Sequence, residues 1–172
     1  KIGKKNSKPN ILLILTDQQT MMTMSAYGNH YLRTPNMDAL AEWGIRFNQS
    51  YCTSPASSPS RSSIITGLMP HQTGVSYNNM APDSGIINMG QLFQQAGYRT
   101  IWAGKWHLPD ELPANKKNDK VPGFEILRFI SPEKITGKGD DMDLPLTEAI
   151  VKVLKRQIDK PLLLVASYLN PS

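Results

Sequence analysis

The stretch Pro9-Asn10-Ile11-Leu12-Leu13-Ile14-Leu15-Thr16-Asp17 decides the fold class. Five apolar residues in a row, bounded by Pro9 and by Thr16-Asp17, are far too short to span a bilayer and read as a buried strand of the parallel kind. Its carboxyl end delivers Asp17, Gln18 and Gln19. Two further runs read the same way: Tyr98 to Ala103, whose end delivers Lys105 and His107, and Pro161 to Tyr168. Helical signals lie between them. Thr34 caps a helix with Pro35 at its first position and Gly44 as its stop. Asn88 to Ala96 places Leu92, Phe93 and Ala96 on one face, with Gly97 ending it. Thr147 caps a helix through about Ile158, striped by Ile150, Val151, Leu154 and Ile158. Strands alternating with helices predict an α/β layer architecture. Phe47 to Tyr51 reads as a short extended piece, Asn115–Lys120 as loop, and Gly- and Asp-rich Lys134–Asp143 as a mobile stretch.

The whole chain supports that reading. Its 172 residues suffice for one domain with a sizeable core, and 40% hydrophobic with 19% charged residues excludes a disordered or membrane-embedded chain. The net charge of +5 is scattered rather than striped, which describes a solvated surface and predicts no nucleic-acid and no membrane partner. The single cysteine, Cys52, excludes an internal disulfide and a multi-cysteine zinc site, and reads as a small buried residue. Lys1 to Asn10 shows no signal peptide, as fits a removed leader or none. The last strand ends just before Ser172, so a fragment is expected.

In parallel α/β sheets, polar groups with chemical roles gather at the carboxyl ends of strands. Asp17 and Gln18 offer hard oxygen ligands suited to calcium or magnesium; taken alone, they are more simply explained by an Asx-type turn without a metal. In Ser57-Ser58-Pro59-Ser60-Arg61, a helix beginning near Pro59 puts Ser57 at its amino end, where free N–H groups and the dipole favour negative charge. Arg61 can fold back there to hold an anion, or Ser57 or Ser58 simply caps the helix and Arg61 is exposed. Lys105 and His107, two apart on an extended chain, point to one side and offer a cation and an imidazole; otherwise both are surface residues beside a core Trp106.

Taken together these segments resemble the sulfatase family. The resemblance runs through Pro9–Asp17, Thr34-Pro35-Asn36-Met37-Asp38-Ala39-Leu40, Gly44-Ile45-Arg46-Phe47 and Tyr51–Pro55 into the nucleophile motif. That motif (Cys or Ser, any residue, Pro, Ser, Arg, then Thr-Gly) is filled in register by Ser57, Ser58, Pro59, Ser60, Arg61, Thr66 and Gly67. Pro70–Val75, Gly97–Thr100, Gly104-Lys105-Trp106-His107-Leu108 and Gly123-Phe124 continue it, so nearly the whole chain is covered.

The resemblance implies an alkaline-phosphatase-like fold, a mixed and largely parallel sheet with helices on both faces, of which residues 1–172 form the N-terminal part without the C-terminal remainder. It implies a sulfuric ester hydrolase acting on a sulfated small molecule or glycan, most commonly a sulfated sugar. Ser57 looks like the precursor of a formylglycine, made by a maturation enzyme; its hydrated aldehyde attacks sulfur with one hydroxyl, and the second expels sulfate. Asp17, Gln18 and residue 57 look like ligands of calcium, with magnesium as the alternative ion. Many relatives carry a second aspartate where Gln18 stands, and glutamine removes one negative charge from the site. Arg61 should hold the formylglycine hydroxylate, Lys105 the sulfate and nucleophile oxygen, and His107 should assist the proton movement that releases sulfate. A serine precursor implies a bacterial source and a periplasmic or secreted location. The family also needs downstream metal ligands and a lysine, and often has Pro-His where Pro171-Ser172 stands; little activity is therefore expected of this chain by itself. The same scaffold also serves phosphonate and phosphate monoester hydrolases, and an unmodified Ser57 would describe an inactive binding homologue.

Overall fold

The computed structural model describes residues 8–108, 121–130, 139–157 and 159–170. Strands β1 (Ile11–Leu15), β2 (Arg99–Lys105), β3 (Glu125–Ile130) and β4 (Leu162–Ser167) form one four-stranded sheet in the order β1-β4-β2-β3, every pair parallel. Helices α1 (Pro35–Trp43), α2 (Ser57–Thr66), α3 (Pro70–Thr73), α4 (Met89–Gln95) and α5 (Gly139–Leu154) connect or flank the strands. Among the described residues no helix is long and apolar enough to cross a membrane.

The near-continuous apolar sequence of β4 follows from its place: it lies between β1 and β2, and all six of its residues are buried. On one face α5 sets Leu146, Ile150 and Val153 against Ile101, Ala103, Leu162, Leu164 and Ala166. On the other, Ile65 of α2 and Met89 and Phe93 of α4 pack with Trp102, Trp106, Phe124, Leu163 and Val165. The rings of Trp102 and Trp106 meet edge to face at 4.7 Å, the arrangement their quadrupoles favour. Gly90 of α4 lies so close to the Phe124 ring and the Gly123 carbonyl that a Cβ would collide with both, which fixes α4 against this layer. The parallel register sets Leu15 and Gly104 both opposite Ser167, so three strands end at one level.

Helices on both faces of a parallel sheet match the expected architecture; several local readings are corrected. Strand β1 is parallel but not fully buried. Among the described residues it pairs only with β4, and Leu12 and Ile14 remain 45% and 50% exposed. Strand β3 was not foreseen, because Glu125 and Arg128 interrupt its apolar letters. Asn88 is the cap of α4 rather than its first residue, accepting the Gln91 N–H, and Leu92 faces solvent at 52% exposure while buried Gly90 faces the core. Helix α5 begins eight residues before Thr147. Residues 139–143, read as mobile from their Gly and Asp content, are helical, and Pro145 sits inside the helix. Thr147 donates back to the Asp143 carbonyl at 2.8 Å, the interior pattern for threonine, rather than capping. The buried stripe is Leu146, Ile150 and Val153; Val151 and Leu154 are exposed. Phe47–Tyr51 forms no strand, and Cys52 is exposed rather than buried. Ile158, Asn115–Lys120 and positions 134–138 lie outside the described residues.

Candidate active site

The site is built where the sheet's carboxyl ends meet the amino end of α2. That helix starts at Ser57, two residues earlier than the proline suggests, with Ala56 as its cap residue and no side-chain cap. Its buried face is polar, made of Ser58, Arg61, Ser62 and Ser63 alongside Pro59 and Ile65. Polar residues pointing inward along a helix demand partners. Ser62 shares a hydrogen bond with Thr73 at 3.1 Å, and Ser58 donates to the His107 carbonyl at 2.7 Å.

Arg61 reaches the strand ends. Nη1 donates to the Lys105 carbonyl and to Ser167 Oγ, both at 2.9 Å, and Nη2 donates to Asp17 Oδ1 at 3.1 Å. Lys105 Nζ donates to Asp17 Oδ2. One carboxylate thus holds two cations, one on each oxygen, and all three side chains are only 8–11% exposed. Sheet geometry explains how they meet. Asp17 follows β1 and Lys105 ends β2, on either side of β4, so their main chains stand about 10 Å apart at ~4.8 Å per strand. The small Ser167 at the end of β4 leaves room for the side chains to close over it. Gly104, at φ +98°, permits the approach: a Cβ there would overlap the Ser167 carbonyl and press on Leu146. Arg61 is therefore buried rather than exposed, and its hydrogen bonds go to the strand ends; among the described residues none of them goes to Ser57.

His107 closes the site. Its Nδ1 lies 2.9 Å from Ser57 Oγ. Lys105 and His107 do converge, but not by sharing one face of an extended chain, since His107 leaves the strand in the left-handed region at φ +53°. Burial first, then the charges of Lys105 and Arg61, hold the imidazole below its ordinary value against the opposing pull of Asp17. The neutral ring can then accept a proton from a hydroxyl at position 57. Burial likewise lowers Arg61, opposed by its hydrogen bond and charge interaction with Asp17.

Two cations against one carboxylate, with a neutral base on a helix-terminal hydroxyl, make an arrangement for an oxyanion undergoing displacement. Asp17 and Gln18 supply oxygen donors of the hard type that calcium prefers, so the donor chemistry fits that ion in part. Gln18 is exposed with a left-handed backbone, and among the described residues no group of three His, Cys, Asp or Glu side chains gathers as a metal site. Further ligands would have to come from elsewhere. The structure adds residues that the sequence did not single out. Ser167 orients Arg61, and Ser58 bonds the His107 main chain. Asp143 of α5 accepts the N–H groups of Leu169 and Asn170 at 3.0 and 2.8 Å, and the Asn170 carbonyl receives the Asp17 N–H at 3.2 Å. The strand-end rule could have flagged Ser167; nothing local marks Ser58 or Asp143. Ser172 lies outside the described residues.

Known proteins contain a similar segment. A Delta 4,5-hexuronate-2-O-sulfatase of Bacteroides thetaiotaomicron is 31% identical over 98% of this chain and 35% of its own length. A structure solved in complex with its substrate D-glucosamine-2-N,6-O-disulfate superposes with a TM-score of 0.77 at 28% identity, covering 96% of this chain and 35% of that one. The phosphonate monoester hydrolase of Agrobacterium radiobacter shares the fold, with a TM-score of 0.80 at 24% identity over 95% of this chain and 41% of that one. The chain spans from about a fifth to a third of the length of the curated relatives it matches. The family model for sulfatases matches residues 9–171, nearly the entire chain, and the protein therefore belongs to the sulfatase family.

Proposed function

We propose that this chain is the nucleophile-bearing segment of a sulfuric ester hydrolase that removes sulfate from a sulfated sugar, using a formylglycine made from Ser57. The observation that carries the proposal is the 2.9 Å contact of Ser57 Oγ with His107 Nδ1, set beside the Asp17–Arg61–Lys105 cluster. Ser57 Oγ stands in for one hydroxyl of the hydrated aldehyde. The aldehyde hydrate supplies two hydroxyls on one carbon, one to take the sulfuryl group and one to release it. A plain serine has only the first.

The chain's own residues serve that chemistry as follows. His107, held neutral, accepts the proton of a hydroxyl at position 57. Arg61, locked by Ser167 and Asp17, keeps a fixed positive charge near the nucleophile as negative charge develops. Lys105, whose ammonium rotates more freely than a guanidinium, faces the sulfuryl oxygens. Calcium, when bound through Asp17 and Gln18, would add positive charge that steadies an oxyanion. The sugar assignment draws on two relatives, a hexuronate sulfatase and a protein solved with a sulfated glucosamine.

The test is sulfate release from a panel of sulfated hexosamines and hexuronates, with phosphonate and phosphate monoesters in parallel. It compares this chain with the protein extended to its relatives' length. Turnover of sulfated sugars by the extended protein and little by the chain alone is expected, since the chain supplies a minority of its relatives' length. Phosphonate hydrolysis exceeding sulfate release would replace this reading with the phosphonate one. No turnover and an unmodified Ser57 would indicate a binding homologue.

A further inference from the structure

We infer that Ser58, the residue after the nucleophile position, is a positioning residue: its hydroxyl fixes the backbone conformation that turns His107 onto residue 57. The inference rests on the proposed roles of Ser57 and His107. Ser58 is fully buried, at 0% exposure. Its Oγ donates to the His107 carbonyl at 2.7 Å and accepts the Asn79 N–H at 3.2 Å. Its own N–H, one of the free donors of the first helical turn, goes to Asn78 Oδ1 at 2.9 Å. One small side chain therefore ties three segments together: the start of α2, the Asn78-Asn79 turn and the residue that leaves β2.

The tie matters because of what it holds. His107 and Asn79 both have left-handed backbones, at φ +53° and +65°. A non-glycine residue in that region carries a conformational cost and keeps it only where its surroundings determine the geometry. At His107 the carbonyl bond to Ser58 is such a determinant, and the same residue's ring reaches Ser57. The role needs a group that donates and accepts at once, which a hydroxyl does and an alkyl group does not. Ser58→Ala would remove both bonds and leave the His107 backbone free to relax toward an extended conformation, drawing the imidazole away from residue 57. Ser58→Thr keeps the hydroxyl.

The experiment has two arms. In the enzyme at its relatives' length, kcat and KM for a sulfated hexosamine are measured for wild type, Ser58→Ala and Ser58→Thr, with rates divided by the aldehyde content at position 57 found by peptide mass. Ser58→Ala should lose about 10- to 100-fold in kcat with KM little changed, the penalty of misplacing a reacting group by a fraction of an ångström to an ångström. Ser58→Thr should recover most of it. In the second arm, imidazole 15N spectra of the unmodified chain are recorded; it has three histidines, so the His107 signals are assignable by single substitution. Ser58→Ala should shift the His107 Nδ1 resonance in the same direction as Ser57→Ala does, and Ser58→Thr should not. An unchanged kcat per aldehyde in Ser58→Ala, or an Nδ1 resonance that stays at the wild-type position, overturns the inference. If wild type itself releases no sulfate, the reading of the function fails, and the spectra alone decide the positioning role.

Discussion

Replacing Asp17 by asparagine isolates the electrostatic core of the site. The substitution keeps the shape and removes the negative charge that, among the described residues, faces Arg61 at 3.1 Å and also pairs with Lys105. A hydrogen bond to a charged group contributes about 1.5–3 kcal/mol, and breaking a buried pair by removing one partner costs about 3–5 kcal/mol. Asparagine retains one acceptor oxygen, and Arg61 keeps its bonds to the Lys105 carbonyl and Ser167. The expected loss for Asp17→Asn is therefore about 2–4 kcal/mol, at the lower part of the range for a broken buried pair. Urea unfolding of the chain in the presence of a chelator, at low and at 1 M salt, measures it without metal linkage. Because the three side chains are nearly buried, added salt should change the difference little. The exposed Arg99–Glu125 pair provides the contrast: Arg99→Ala should cost under about 1 kcal/mol, and less at high salt. A loss below about 1 kcal/mol for Asp17→Asn, or one that salt abolishes, would refute the claim that Asp17 is the buried hub of the site.

Other substitutions test the scaffold and the imidazole. Gly104→Ala forces a side chain into a left-handed backbone and against the Ser167 carbonyl and Leu146; a loss of at least about 2 kcal/mol by urea unfolding is expected, and a neutral result would mean the strands do not approach as described. Leu146→Ala should cost about 2–5 kcal/mol and Leu92→Ala under about 1, reversing the burial that the sequence suggested for Leu92. In the metal-free chain the His107 ring protons, followed by NMR, should titrate below the ordinary histidine value of about 6.5. The unfolded chain then binds the extra proton first as pH falls. Stability should drop as pH passes down through the ordinary value and level off below the folded midpoint. Lys105→Met should raise that midpoint, and a midpoint at or above the ordinary value in the unsubstituted chain would contradict the described burial.

How much of this could be read from the letters depended on the range of the interactions. Strands β1 and β4 were legible because parallel strands write themselves as apolar runs, and β2 from its apolar Ile101-Trp102-Ala103 core after the Gly97 stop; the strand-end rule then pointed to Asp17, Lys105 and His107. Strand β3 was not, since the letters Glu125 and Arg128 break its apolar run. The start of α5 was hidden by Gly139, Asp140, Asp141 and Pro145, each a poor helix former that tertiary packing through Leu146, Ile150 and Val153 overrides. The supporting residues of the site were the least legible. Ser58 meets His107 across 49 positions, Arg61 meets Ser167 across 106 and Asp143 meets Leu169 across 26, and no local pattern encodes such pairings. Arg61 itself was recognised from its place in the motif, but its hydrogen-bond partners at the strand ends were not.

The proposed chemistry turns most directly on what atom group occupies position 57. Accurate mass of the peptide spanning Ser57, taken from protein purified out of its native host, measures it. A peptide two hydrogens lighter than its serine form, reactive toward a hydrazine, is the predicted result. A mass equal to unmodified serine in protein that nonetheless turns over sulfate esters would contradict the account.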